Sequence, residues 1–325
     1  MNRRRVWMAA AGAALLPRFA IGQPSYGSTA RIGWLTAQRP ASLVPYLQAF
    51  RAALAEAGFA EGSNLTIDFR YGDDDRSKVA ALADELVRLR VDLIVVQGEA
   101  VLEIRKLALP VPVVYAYSGD PVSAGLAESL ARPNANMTGL TYMAVELNGK
   151  RLELLRELAP GARRVALLAN DYPGEPLERA SALAAAGRLG LDVRDVRAGT
   201  SAELQAAFAK MTADKVQAIS LAADSFAVQN RAELVDFAMR RRIPLVTSWP
   251  VFADSGALCS YGPRLTDSYR RLAYYVGRVL KGARPADLPI EQPTTLETIV
   301  NLKTAEAIGL KVPQSVLVRA DRVIG

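Results

Sequence analysis

The run Ser118-Gly-Asp-Pro-Val-Ser-Ala-Gly-Leu-Ala-Glu-Ser-Leu-Ala-Arg-Pro-Asn-Ala-Asn-Met-Thr-Gly-Leu140 is the segment around which the rest of the chain is organised. It follows an apolar run, residues 111–117, that reads as a buried parallel strand. Small polar residues appear where that strand should end, and in open parallel sheets ligands sit at the carboxyl ends of the strands. After a short helical piece comes Arg132-Pro-Asn-Ala-Asn-Met-Thr-Gly139, a turn-rich passage that reads as a crossing between two lobes. One segment thus supplies a candidate ligand wall and a candidate hinge.

Working outward, 325 residues correspond to about two domains. Half of them are hydrophobic and few are aromatic, which suits an Ala/Leu/Val-rich α/β protein. The formal charge is +7, but Arg3, Arg4, Arg5 and Arg18 lie in a segment that reads as removable. Without those four the charge falls to about +3, with Lys and Arg scattered among acids rather than gathered in a stripe, so no nucleic-acid partner is expected. That segment, residues 1–22, has the parts of an export signal. Arg3 to Arg5 are its basic region, residues 6–16 its apolar region, and Ala20-Ile-Gly22 a small-residue site for cleavage before Gln23. The apolar run is short of the ~20 residues that span a bilayer. The twin arginines loosely fit the twin-arginine route. No Cys follows the apolar run, so a lipid anchor is not expected.

Cys259 is the single cysteine, so an intrachain disulfide is excluded. It stands in a strand-like run and reads as a small buried hydrophobe. The sequence contains no histidine, which excludes Ser-His-Asp and Cys-His catalysis and imidazole metal sites. Glycine-rich dinucleotide, P-loop and nucleophile-elbow motifs are absent as well. No catalytic residue, metal or cofactor is expected.

From Ala30 onward, short apolar runs alternate with amphipathic helical stretches. Strands are expected at 31–36, 64–71, 91–96 and 111–117, with helices at 43–57, 76–90 and 100–107. The same order then recurs. Arg164 onward mirrors Arg31 at an offset of 133, and Leu191 mirrors Leu65 at 126. Val216 mirrors Val91 at 125, and Pro244 mirrors Pro112 at 132. Four matched elements in one order predict two similar lobes, each a parallel sheet covered on both faces. Beyond them lie a strand-like run at 257–262, a helix at 266–280, a Pro/Gly linker and a last strand at 298–301. Three crossings between lobes are expected, near 138–141, 248–252 and 291–296. The expected division is 29–140 plus 249–292 for the first lobe and 141–248 plus 293–325 for the second.

The residues just past the strands are candidate ligand contacts. In the first lobe they are Thr36, Gln97, Glu99, Tyr117, Ser118 and Asp120. In the second they are Asn170, Asp224, Ser225, Ser248 and Trp249, with Tyr261 after the returning strand. Nearly all are hydrogen-bonding groups, and several precede helices, whose free N–H groups suit a carboxylate. A buried carboxylate such as Asp224 suits an ammonium, and Trp249, Tyr117 or Tyr261 an apolar wall. Each also has a plainer role. Asp120 before Pro121 is an ordinary helix cap; Asp224 and Ser225 cap the next helix; Asn170 opens a turn; Trp249 before Pro250 suits hinge packing.

The chain resembles the ABC-transporter substrate-binding protein family that includes tryptophan- and other aromatic-amino-acid-binding lipoproteins. The residues that carry the likeness are Gly58-Phe-Ala-Glu-Gly-Ser-Asn-Leu-Thr-Ile-Asp68, Val91-Asp-Leu-Ile-Val95, Asp120-Pro-Val-Ser-Ala-Gly-Leu126, Asn136-Met-Thr-Gly139, Tyr261-Gly262 and Val300-Asn-Leu-Lys-Thr-Ala305. It spans nearly all of 30–313, and the Asp-Pro-Val-x-x-Gly-Leu run followed by Asn-x-Thr-Gly is its most specific part. The resemblance implies the type I periplasmic binding protein fold: two Rossmann-like lobes, three hinge strands and a small polar solute, such as an amino acid, in the cleft. It implies an ABC permease in the inner membrane as partner and a periplasmic location for a chain expected to be monomeric. The departure is the missing lipobox Cys. Two other readings share the fold: a periplasmic sensing subunit feeding a signalling receptor, and the effector domain of a transcription regulator. The second predicts an N-terminal helix-turn-helix where the export signal stands. An enzyme is the third rival, and the missing histidine and motifs weigh against it.

Overall fold

A computed structural model describes residues 29–40, 44–134, 136–142, 144–170 and 175–325. The expected signal segment lies outside these residues.

In chain order the first part runs β1 (Ala30–Thr36), α1 (Val44–Glu56), β2 (Leu65–Tyr71), α2 (Val79–Arg88), β3 (Leu93–Gln97), α3 (Ala100–Leu107) and β4 (Val113–Tyr117). A small hairpin of β5 (Ala127–Ser129) and β6 (Arg132–Pro133) leads into β7 (Met137–Thr141). The second part runs α4 (Ala144–Leu158), β8 (Arg164–Ala169), α5 (Glu175–Arg188), β9 (Asp192–Arg197), α6 (Ser201–Ala213), β10 (Ala218–Leu221), α7 (Ser225–Gln229) and α8 (Arg231–Arg240). It continues with β11 (Leu245–Thr247), α9 (Pro250–Asp254) and β12 (Cys259–Pro263). Then come α10 (Leu265–Leu280), β13 (Leu296–Asn301), α11 (Leu302–Ala307), α12 (Gln314–Arg319) and β14 (Arg322–Ile324).

The two parts fold alike. The first sheet has the order β2-β1-β3-β4-β7, all parallel. The second begins β9-β8-β10-β11-β12, also parallel, and is extended by β13 and β14. The strands that echo each other in sequence therefore occupy the same places in the two sheets. Among the described residues of these two sheets, the one antiparallel pairing is that of β13 with β12.

Alternation within strands sorts side chains onto the two faces of each sheet. In β1, Ile32 and Trp34 enter one core cluster while Leu35 enters another. The first of these clusters continues past Tyr142 and Trp249 to Leu221 and Leu245 of the second sheet, so apolar packing runs unbroken between the sheets. Cys259 is fully buried in the core behind the second sheet, and burial pushes its thiol up to about 12, as befits a small apolar filler.

The chain passes between the sheets at three places. After β7 it leaves the first sheet through Tyr142 into α4, which packs on α5 and β12. The expected passage near 248–252 is not one of the three. Trp249 and Pro250 open α9, with Pro at the first helical turn, and α9 packs on β12 and β13. β12 then pairs with β11, Val246 beside Cys259, so the chain is still in the second sheet at Pro263. The change comes at Arg264, after which α10 packs along α1 and onto β3, β4 and β7. A Trp-Pro pair at a strand end looks like a linker in sequence; here the Pro is a helix starter. The third passage follows Glu291, which pairs with Leu140 of the first sheet before β13 begins. There Thr141 N–H donates to the Glu291 carbonyl at 2.9 Å. By sheet membership, 249–263 goes with the second sheet and 264–291 with the first.

The helical piece expected after Asp120 shrinks to one turn, closed by Leu126 N–H on the Pro121 carbonyl at 2.8 Å. The residues beyond it pair as the β5–β6 hairpin instead.

Candidate functional site

The strand ends of both sheets face a common cavity. Its empty space is about 710 Å³ with the mouth to solvent included. From the first sheet it is lined by Gln38 past β1, Gln97, Gly98 and Glu99 past β3, and Tyr117 and Ser118 past β4. Tyr46 of α1 and Leu265 and Tyr269 of α10 cover one side, and Tyr142 stands at the first passage. The second sheet contributes Ala223 and Asp224 past β10, Val228 of α7, and Trp249 and Val251 past β11.

Local structure fixes these positions. Gly98 adopts φ +63°, the left-handed turn that ends β3 and swings Glu99 to the helix start. The Tyr269 hydroxyl donates to Gln97 Oε1 at 2.7 Å, anchoring α10 to the end of β3. The Tyr46 ring lies 5.3 Å from Tyr269, and the Tyr142 ring meets Trp249 edge to face at 5.4 Å. Three tyrosines and a tryptophan thus form much of the apolar wall.

The charged groups among the described lining residues are two acids. Asp224 caps α7, its Oδ1 accepting from Ala227 N–H at 2.7 Å. Burial pushes its carboxyl up to about 7; the Ala227 and Asn170 backbone N–H groups pull it down, and the charges of Glu99 and Glu178 push it further up. Glu99 is 8% exposed. Its Oε2 lies 3.1 Å from Arg76 Nη1, while Oε1 has no partner among the described residues. Burial raises the Glu99 carboxyl and Arg76 partly offsets that. The buried Tyr117 hydroxyl is likewise without a partner among the described residues.

Of the residues singled out in the sequence, the structure brings together Gln97, Glu99, Tyr117, Ser118, Asp224 and Trp249 at the cavity wall. The others stand elsewhere. Thr36 is buried, and its Oγ1 accepts from Gln38 N–H at 3.2 Å, so the turn puts Gln38 at the wall instead. Asp120 holds its own turn, accepting from the N–H groups of Val122 and Ser123 and from the Ser123 hydroxyl. Asn170 turns its backbone N–H toward Asp224. Ser248 is buried away from the wall. Tyr261 packs on the far core of the second sheet, and its carbonyl accepts from Arg151. The Ser225 side chain lies outside the described residues. The sequence reading missed Gln38, Tyr46, Tyr142, Val228, Val251, Leu265 and Tyr269. Tyr269 was visible only as one of several aromatics at helical spacing.

A sequence model of the family described as ABC transporter substrate binding protein matches residues 39–324. A tyrosine-binding protein of Clostridioides difficile (strain R20291) is 26% identical over 269 residues, which is 81% of this chain and 76% of that protein. The crystal structure of an ABC domain in complex with L-Trp from Streptococcus pneumoniae superposes with a TM-score of 0.84 at 27% identity, covering 91% of this chain and all of that one. A 5-methylthioribose transporter solute-binding protein from Thermotoga lettingae shares the fold, with a TM-score of 0.62 at 14% identity over 91% of this chain and 98% of that one.

Proposed function

The chain belongs to the ABC transporter substrate binding protein family, and from that premise we propose that it captures an amino-acid-sized amine with an apolar or aromatic body in the cavity between its two sheets. Members of this family are extracytoplasmic binding proteins that serve a transporter. The observation that carries the reading is the convergence of strand ends from both sheets, with buried Asp224 on one side and Glu99 on the other, around a wall of Trp249 and tyrosines. Two relatives, one named for tyrosine and one holding tryptophan, support a ligand of that size.

The proposed contacts are Gln97, Glu99, Tyr117, Ser118, Asp224 and Trp249 from the sequence reading, joined by Gln38, Tyr46, Tyr142 and Tyr269. In this reading the two sheets belong to two lobes that hinge at the three passages. A solute docks on one lobe, and contacts from the other favour closure. Only contacts made solely in the closed state shift that equilibrium. A micromolar dissociation constant corresponds to about −8 kcal/mol, within reach of a few charged hydrogen bonds and one apolar wall. The closed monomer then docks on its permease. Export would proceed by residues 1–22, with cleavage before Gln23 leaving a periplasmic protein.

A thermal-shift screen of amino acids and amines, followed by calorimetry on the hits, tests the reading. Asp224→Ala should weaken binding of an ammonium-bearing ligand tenfold or more. Unchanged affinity removes Asp224 from the site.

A further inference from the structure

The charge around the cavity narrows the ligand class beyond what any relative's name conveys. Glu99 and Asp224 are its charged lining groups, and no Lys or Arg lines it among the described residues. The internal segments outside the described residues, 41–43, 135, 143 and 171–174, contain no Lys or Arg in sequence. Arg39, next to Gln38, is turned to Asp74 at 2.8 Å and its side chain is 64% exposed. Arg76 stands behind Glu99 and already compensates one carboxylate oxygen. The other, Oε1, is buried and has no partner among the described residues.

Charge balance then favours one ligand class. Glu99 and Arg76 neutralise each other; among the described residues ionised Asp224 has only backbone N–H groups, so one further positive charge completes the site. A zwitterionic amino acid supplies that charge but also brings a carboxylate into the same buried space as Asp224. Like charges repel in such a space, and with no Lys or Arg among the described lining residues a ligand carboxylate has only backbone N–H and neutral side-chain donors to offset its burial. An ammonium, by contrast, meets Asp224 and the faces of the surrounding rings, where cation–π attraction adds to binding. We propose that the preferred ligand is an organic monocation, an aromatic or similarly apolar amine that lacks a carboxylate. The inference rests on the cavity being the binding site, as argued above.

Calorimetric titration of the mature protein at pH 8 with two matched pairs, tyramine against tyrosine and tryptamine against tryptophan, tests it. The expected result is that each amine binds at least tenfold more tightly than its amino acid. Asp224→Asn should erase most of that preference, and Glu99→Gln, which keeps size and polarity, should reduce it; circular dichroism of both variants checks folding. Amino acids that bind as tightly as the amines, or more tightly, overturn the amine preference and leave the cavity standing as the binding site. If no member of either pair binds or raises the melting temperature, the preference and the cleft reading fall together.

Discussion

The hydroxyl of Tyr269 donates to Oε1 of Gln97 across 172 positions of sequence, at 2.7 Å and fully out of solvent. Tyr269 belongs to the helix that returns from the second sheet, and Gln97 ends the third strand of the first. The bond pins that returning helix to a strand end at the cavity wall. Tyr269→Phe removes the donor and leaves a buried amide oxygen unpaired, a loss of about 1–3 kcal/mol. Denaturant unfolding should show a lower midpoint with an unchanged slope. A double-mutant cycle with Gln97→Ala should show coupling; strict additivity would refute the bond.

Asp224 should make binding and stability depend on pH in opposite directions. Its carboxyl is raised in the folded protein to about 7, first by burial and then by the charges of Glu99 and Glu178, against the pull of two backbone N–H groups. The folded protein therefore holds this proton more tightly than the unfolded chain. The stability it contributes is full below the unfolded carboxylate range, about pH 4, and is lost as pH rises through about 7. A cationic ligand needs the ionised form. Its affinity should rise roughly a hundredfold from pH 5 to pH 8, with a proton released on binding below pH 7. Calorimetry in buffers of different ionisation enthalpy measures that proton. Asp224→Asn should flatten both profiles.

Trp249 supplies apolar wall from the second sheet and touches Tyr142 at the first passage. Trp249→Ala should weaken ligand binding tenfold or more, about 1.4 kcal/mol at least. Trp249→Phe should recover most of the loss. An affinity unchanged in Trp249→Ala would place the ligand elsewhere.

Gly139 tests the sheet rather than the site. A Cβ there would lie 1.9 Å from the Tyr115 carbonyl oxygen, because the last strand of the first sheet passes close over its neighbour. Gly139→Ala should cost about 2 kcal/mol or more, or prevent folding, since backbone must move. Gly161→Ala, where nothing lies within 4 Å, should stay within about 0.5 kcal/mol. Thermal melts of the two variants check the contrast.

Much of this architecture is legible in the amino-acid sequence. The near-constant spacing from Arg31 to Arg164 and from Pro112 to Pro244 foretold two sheets, and the echoing strands hold the same places in both. Polar residues at strand ends pointed to the cavity because parallel strands share a carboxyl edge. The misreadings have local causes. Trp249-Pro250 has the composition of a linker, yet the proline begins a helix and the chain stays in its sheet for one more strand. Thr36 and Gln38 traded places because the turn after the first strand is held by the threonine hydroxyl. Tyr269 and Tyr46 were invisible as wall residues. Helical periodicity marks the apolar face of a helix but cannot say that part of that face overhangs a gap. Tyr142 reaches the wall because the chain turns out of the first sheet there, a tertiary fact with no local signal.

The central claim is that this chain holds one small solute between its sheets and returns it unaltered. Native mass spectrometry of the intact mature protein, after incubation with tyramine and tryptamine, measures this directly. A mass increment equal to one intact ligand per chain is expected, released unchanged on denaturation and strongly reduced in Asp224→Ala and Trp249→Ala. A ligand recovered chemically altered, or one retained equally by both variants, would contradict it.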